Sequence, residues 1–154
     1  MDKSVILIKP DGLQRGLVGA IINRFERKGL KLVGIKMVSL NDPLLDNWYE
    51  HHKTKPFFAD LKKFMQSTPV VAMVWEGLEA ISAIRKLVGI TKAREAEMGS
   101  IRGDFGMSQS FNLIHASDSA EAAEKETKLL FSEDEIFEYN KSEYLHIYAS
   151  EERI

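Results

Sequence analysis

Pro69-Val70-Val71-Ala72-Met73-Val74-Trp75-Glu76 is an almost unbroken apolar run rich in β-branched side chains. Successive side chains of a strand point to opposite faces, so a strand that is apolar at every position is covered on both sides. This one belongs inside its sheet. From Val70 to Trp75 it has the length of a strand and is far too short to cross a bilayer.

Before it, Ser4 to Ile8 forms a first β-branched run, and Pro10-Asp11-Gly12 reads as the turn that stops it. Leu17, Val18, Ile21, Ile22 and Phe25 recur at helical spacing up to Gly29. Leu30 to Leu40 reads as a second strand, and Asp42-Pro43 opens a helical hairpin carrying Trp48 and Tyr49 on one arm and Pro56-Phe57-Phe58 at the start of the other. After the central strand, Ile81, Ile84, Leu87 and Val88 mark a helix ending at Gly89. Residues 90–110 lack periodicity, and a loop that long inside a compact domain is usually functional. Asn112 to His115 reads as a short strand, Asp118 to Leu130 as a helix with Asp118 as N-cap, and the remainder as a polar tail.

The order β-α-β-(αα)-β-α-loop-β-α fits an α+β sandwich. It is a ferredoxin-like split βαβ with a four-stranded antiparallel sheet, an inserted helical hairpin and a long loop before the last strand. A chain of 154 residues suits one domain over 1–154, with residues 139–154 as a C-terminal tail. That architecture hosts enzymes, sensors and RNA-binding modules, so the site must decide between them.

Composition narrows the classes. The 21 basic and 23 acidic residues give a net charge of -2, which leaves no basic field for specific nucleic-acid binding. There are no cysteines, which removes disulfide frameworks and thiol nucleophiles and suits a reducing compartment. Met1-Asp2-Lys3-Ser4 leads into too short an apolar run for a secretory signal, so a cytoplasmic protein without membrane attachment is expected. His51-His52 lacks the spacing of a metal-binding helix, and no metal ligands are assigned.

The chemistry starts from His115 and Glu126. Ala122, Ala123, Glu126, Leu129 and Leu130 share one helical face, so Glu126 is a carboxylate on a core-facing stripe and needs a partner. A tight strand-turn-helix unit brings that helix back beside His115. An imidazole fixed by a carboxylate at one nitrogen keeps the other as a nucleophile of defined tautomer. Lys9, Arg85 and Arg102 lie near glycines or turns where phosphate oxygens could be held. Neither GxxxxGK[ST] nor GxGxxG occurs.

Several stretches resemble the nucleoside diphosphate kinase family in order along the chain. They are Lys9-Pro10-Asp11-Gly12-Leu13-Gln14-Arg15-Gly16-Leu17-Val18-Gly19, Pro56-Phe57-Phe58, the 69–77 strand, Ile101-Arg102-Gly103-Asp104-Phe105 and Asn112-Leu113-Ile114-His115-Ala116-Ser117-Asp118-Ser119. The resemblance implies a ping-pong transfer of the γ-phosphoryl of a nucleoside triphosphate to a diphosphate through a phosphohistidine on His115, with broad base specificity. It places Glu126 and Ser117 around the imidazole, and Lys9, Tyr49, Arg102 and Asn112 around the moving phosphoryl and the ribose hydroxyl. Arg85 and Thr91 match contacts to the distal phosphates, and Phe57 with Leu61 the platform for the base. Mg²⁺ is expected to travel with the nucleotide phosphates. A homo-oligomer is implied, a hexamer more than a tetramer because of the long tail. The chain departs from the family pattern at Ala116, at Gln109-Ser110-Phe111 and in the proline-free stretch 91–99. Two other readings use some of the same residues: a nucleotide sensor without turnover, and a histidine phosphocarrier that hands its phosphate to a protein.

Overall fold

A computed structural model describes residues 1–153. Its four strands are β1 (Asp2–Ile8), β2 (Lys31–Val38), β3 (Val70–Gly77) and β4 (Ile114–Ala116), in the order β2-β3-β1-β4. Every neighbouring pair is antiparallel. β1 and β2 therefore run the same way with β3 between them, which is the expected split βαβ. The all-apolar strand is interior, and Val70 to Trp75 is buried throughout.

Strand parity divides those side chains between two cores. Ile6, Ile8, Val71, Met73 and Trp75 pack with Ile21 and Phe25 of α2 (Val18–Arg27) and Ile84 of α5 (Ala80–Val88). Val5, Leu7, Val70, Ala72 and Val74 pack with Leu45 and Trp48 of α3 (Asp42–Trp48), Met65 of α4 (Phe58–Met65) and Leu130 of α7 (Ala120–Leu130). Both faces of the sheet are thus covered by helices, as the sequence of β3 requires. Burying a large apolar side chain contributes roughly 1.5–3 kcal/mol, so the two inner strands dominate the stability of the fold.

Several local expectations need correcting. Pro10-Asp11-Gly12 is not a turn but the start of a short helix, α1 (Pro10–Gln14). Proline at the first helical position has its φ preset and lacks only an N–H that would go unpaired there anyway. The stretch 90–110 holds a further helix, α6 (Ile101–Phe105), capped by the Ser100 hydroxyl accepting from Gly103 N–H. At five residues it is too short to show a periodicity. β4 begins at Ile114 rather than Asn112, because Leu113 leaves the extended region with φ +74°. The N-cap of α7 is Ser119, whose hydroxyl accepts from Ala122 N–H, and not Asp118.

The tail is more ordered than its polarity suggests. It contains α8 (Tyr144–Ile147) and lies along the outer edge of β2. Phe137 N–H, the Tyr139 hydroxyl and the Lys141 ammonium donate to the carbonyls of Val33, Leu32 and Leu30. Its aromatic and lysine side chains keep polar ends that reach backbone acceptors of the edge strand, which hydropathy does not register.

Candidate active site

The parity that separates the cores also aims His115. Ile114 and Ala116 on either side of it belong to the α2/α5 core, so the imidazole points to the opposite face, towards α3 and α7. There it meets Trp48 in a T-shaped contact, with ring centroids 5.1 Å apart. Glu126, two turns into α7, meets it from the other side, with Oε1 3.0 Å from Nε2.

A carboxylate only accepts, so this contact places the imidazole hydrogen on Nε2 and the free lone pair on Nδ1. Among the described residues no hydrogen bond engages Nδ1. Glu126 is itself held. The hydroxyl of Ser117, fully buried, donates to Oε2, and the hydroxyl oxygen in turn accepts from Val5 N–H at 2.9 Å. A four-group chain thus runs from the central sheet through Ser117 and Glu126 to the ring. It satisfies a carboxylate that is only 8% exposed.

Between that face and the segment 106–113 lies a cleft of about 1560 Å³. All the residues singled out from the sequence reach it except Ser117, which lies behind Glu126: Lys9, Tyr49, Phe57, Leu61, Arg85, Thr91, Arg102, Asn112, His115 and Glu126 line its wall. Burial first, and the Arg102 charge second, pull the Lys9 ammonium from an ordinary 10.5 down to about 8. Burial first, and Arg85 second, lower Arg102 to about 10. Cations desolvated this close to one another leave a positive potential at the cleft floor that a polyanion would satisfy. Tyr49 is pushed up to about 12 by burial and then by Glu126, so it offers a phenolic hydrogen at neutral pH.

The polar side chains of the floor interlock. The Lys9 ammonium donates to Asn112 Oδ1 at 2.8 Å, while Asn112 Nδ2 donates to the carbonyls of Thr91 and Gln109. Both amide hydrogens of Asn112 are engaged, leaving one lone pair on Oδ1 for a hydroxyl. Arg102 donates to the carbonyls of Asn112, Gly89 and Ile114, so two of its five N–H groups stay open to a ligand. Phe57 is 48% exposed at the mouth, with the His52 ring edge-on at 5.3 Å.

Two contributors escaped the sequence reading. Trp48 was legible only as an aromatic of the hairpin. Asp11 has the sequence context of a turn residue, but its Oδ2 accepts Leu113 N–H at 3.0 Å, while Lys9 N–H donates to Leu113 O at 2.9 Å. Leu113 sits in a tight turn closed by Ile114 N–H donating to Asn112 O. A branched residue at φ +74° costs on the order of 1–3 kcal/mol, and the segment Lys9–Gly12 is the clamp that holds it. That clamp fixes Asn112 on one side and His115 on the other.

The chain resembles proteins already known. The family model described as nucleoside diphosphate kinase matches residues 2–136. A nucleoside diphosphate kinase of Parabacteroides distasonis is 49% identical over 152 residues, covering 99% of both chains. That of Archaeoglobus fulgidus is 50% identical over 148 residues, covering 96% of this chain and 98% of its own. A halophilic nucleoside diphosphate kinase from Halobacterium salinarum, solved in complex with CDP, superposes with a TM-score of 0.93 at 43% identity, covering 96% of this chain and 99% of that one. The chain belongs to the nucleoside diphosphate kinase family. Its activity is that of the family, phosphoryl transfer between nucleoside tri- and diphosphates by a ping-pong mechanism.

Proposed function

We propose that this nucleoside diphosphate kinase stores the γ-phosphoryl on Nδ1 of His115 between its two half-reactions. The single observation that carries this is the Ser117–Glu126–His115 chain, which holds Nε2–H and leaves Nδ1 as the ring's free nucleophile. In the first half-reaction the Nδ1 lone pair forms the N–P bond while the bond from the γ-phosphorus to the bridging oxygen breaks. The diphosphate departs with that oxygen's electron pair. The imidazolium that develops is stabilised by Glu126 through Nε2–H, and the second half-reaction reverses these steps with another diphosphate.

Around that atom the other residues position and neutralise. Lys9, Arg102 and the Tyr49 hydroxyl face the moving phosphoryl, and Arg85 with Thr91 takes the distal phosphates. The free lone pair of Asn112 accepts from a ribose hydroxyl, and Phe57 with Leu61 supports the base. Stacking tolerates any base because each has a π-face, so broad specificity follows. Lys9, Arg85 and Arg102 on the cleft wall suit phosphate oxygens rather than a metal, which fits a divalent ion that arrives with its ligand. Mg²⁺ held by the nucleotide phosphates and its own waters would neutralise charge on the phosphate oxygens.

We further propose that residues 1–154 act as one domain in a cytoplasmic homo-oligomer, a hexamer built with the tail over 139–154. Among the described residues no helix is long and apolar enough to cross a membrane. Light scattering tests the assembly.

The deciding experiment is two-step labelling. The protein is incubated with Mg²⁺ and γ-labelled ATP, isolated, and given unlabelled GDP. Acid-labile, alkali-stable label that leaves as GTP, and never forms in His115→Ala, is the expected result. Label on His115→Ala, or none on folded wild type that binds nucleotide, overturns the assignment.

A further inference from the structure

Phe111 falls in Gln109-Ser110-Phe111, where the chain departs from the family pattern, and it is 55% exposed. It stacks on Phe64, with ring centroids 4.5 Å apart and planes at 25°. Phe64 lies one helical turn beyond Leu61 and two beyond Phe57, so all three share the α4 face that lines the cleft. The stack therefore joins the hairpin bank of the cleft to the bank that leads into β4.

The loop that presents Phe111 is built for the purpose. The Ser108 hydroxyl accepts from the N–H groups of Ser110 and Phe111, at 3.2 and 3.1 Å. Asn112 ties down the Gln109 carbonyl from the cleft floor. On the other bank, α4 is anchored without Phe111. Met65 is fully buried, and Lys62 pairs with Asp42 and Asp46 of α3. Breaking the stack would leave α4 folded but free to shift relative to the loop.

We propose that Phe64 and Phe111 form a clasp across the base end of the cleft, which presets the gap between the Phe57–Leu61 platform and Gln109. The clasp determines nucleotide affinity, and the phosphoryl step proceeds without it. An exposed aromatic stack is worth a factor of roughly 2 to 10 in an equilibrium. That is enough to favour the closed arrangement and little enough to let nucleotide in and out twice per cycle. Phe64 and Phe111 are positioning residues, since they set the width of the slot in which the base lies. The proposal rests on reading this cleft as the nucleotide site.

The test is a double-mutant cycle in the full chain with Phe64→Leu, Phe111→Ala and the pair, plus Phe111→Tyr. The expected result is a KM for CDP and GDP raised roughly 2- to 10-fold in each single variant. The rate of phosphohistidine formation at saturating ATP stays within about twofold, as a slot-width effect on binding alone requires. The double variant is no worse than the poorer single, and Phe111→Tyr restores wild-type KM. An unchanged KM in Phe111→Ala, or single effects that multiply, overturns the clasp. Phe111 is on an exposed loop, so its variants report even if Phe64→Leu fails to fold. Wild type that neither labels nor binds CDP would instead sink the nucleotide-site reading.

Discussion

Lys9 is held in the fold at a cost that pH can remove. Burial and the Arg102 guanidinium bring its ammonium from 10.5 to about 8, with Asp11 opposing. Between those values the unfolded chain binds more protons than the folded one, so stability rises with pH through the window, and the penalty is complete below it. At 1.36 kcal/mol per unit the whole gap is about 3 kcal/mol, and about 2 kcal/mol of it is recovered between pH 7 and 9.5. Lys9→Met keeps the chain length and removes the charge. It also loses the hydrogen bond to Asn112 Oδ1; the part of that loss that does not depend on the charge of Lys9 cancels in the slope, and the part that does is already contained in the shifted pKa. Urea unfolding of both proteins, at one fixed concentration because assembly shifts apparent stability, gives the difference in ΔG at each pH. That difference, wild type minus variant, should climb by about 2 kcal/mol from pH 7 to 9.5. A flat or falling difference would refute the reasoning. A bound polyphosphate restores the charged form, so ADP binding near pH 8 should draw in up to about half a proton in wild type and less in Lys9→Met. Calorimetry in buffers of different ionisation enthalpy measures it.

Three further outcomes follow from the same geometry. Glu126→Gln keeps the shape but can turn an N–H towards Nε2, shifting the hydrogen to Nδ1; phosphohistidine formation in a quenched-flow experiment should slow by roughly 10²-fold or more. A rate within about twofold of wild type would count against the tautomer argument. Ser117→Ala leaves Val5 N–H and Glu126 Oε2 short of a partner in a buried place, and should lose about 1–3 kcal/mol of stability in denaturant titration. Gly12→Ala puts a methyl group 2.8 Å from Ile8 Cγ2 and 3.0 Å from Leu113 O. It should lower Tm by an amount corresponding to about 1–3 kcal/mol and slow labelling of His115, whereas an unchanged Tm and labelling rate would show that the clamp on Leu113 tolerates movement.

Glu126 was legible because a carboxylate on an apolar helical stripe demands a partner, and one histidine stood at the end of the preceding strand. Lys9 and Arg102 were legible as cations beside a turn and a glycine, and Arg85 as a cation on a helix. Their convergence on one floor was carried only by the family resemblance, since contacts across a hundred residues have no local signature. Asp11 and Leu113 show the opposite case. An aspartate between proline and glycine explains itself as a turn former, which hides its role as acceptor for a strained backbone 102 positions away. The α6 helix is too short to show a periodicity, and Asp118 and Ser119 are both good capping residues, so their sequence does not say which hydroxyl or carboxylate takes the Ala122 N–H.

The sequence by itself determined the sheet and its two-sided cover, because the apolar pattern of β3 admits only an interior strand and the helical stripes leave only the faces to fill. It also determined that Glu126 needs a partner, since burial of an unpaired carboxylate is too costly, and it offered His115 as a candidate. The tertiary structure alone decided which nitrogen of His115 is free, how far Lys9 and Arg102 are desolvated, and that Phe111 reaches Phe64 across the cleft. Those depend on angstrom-scale distances between segments remote in the chain, and both Coulomb energies and hydrogen bonds change steeply over such distances.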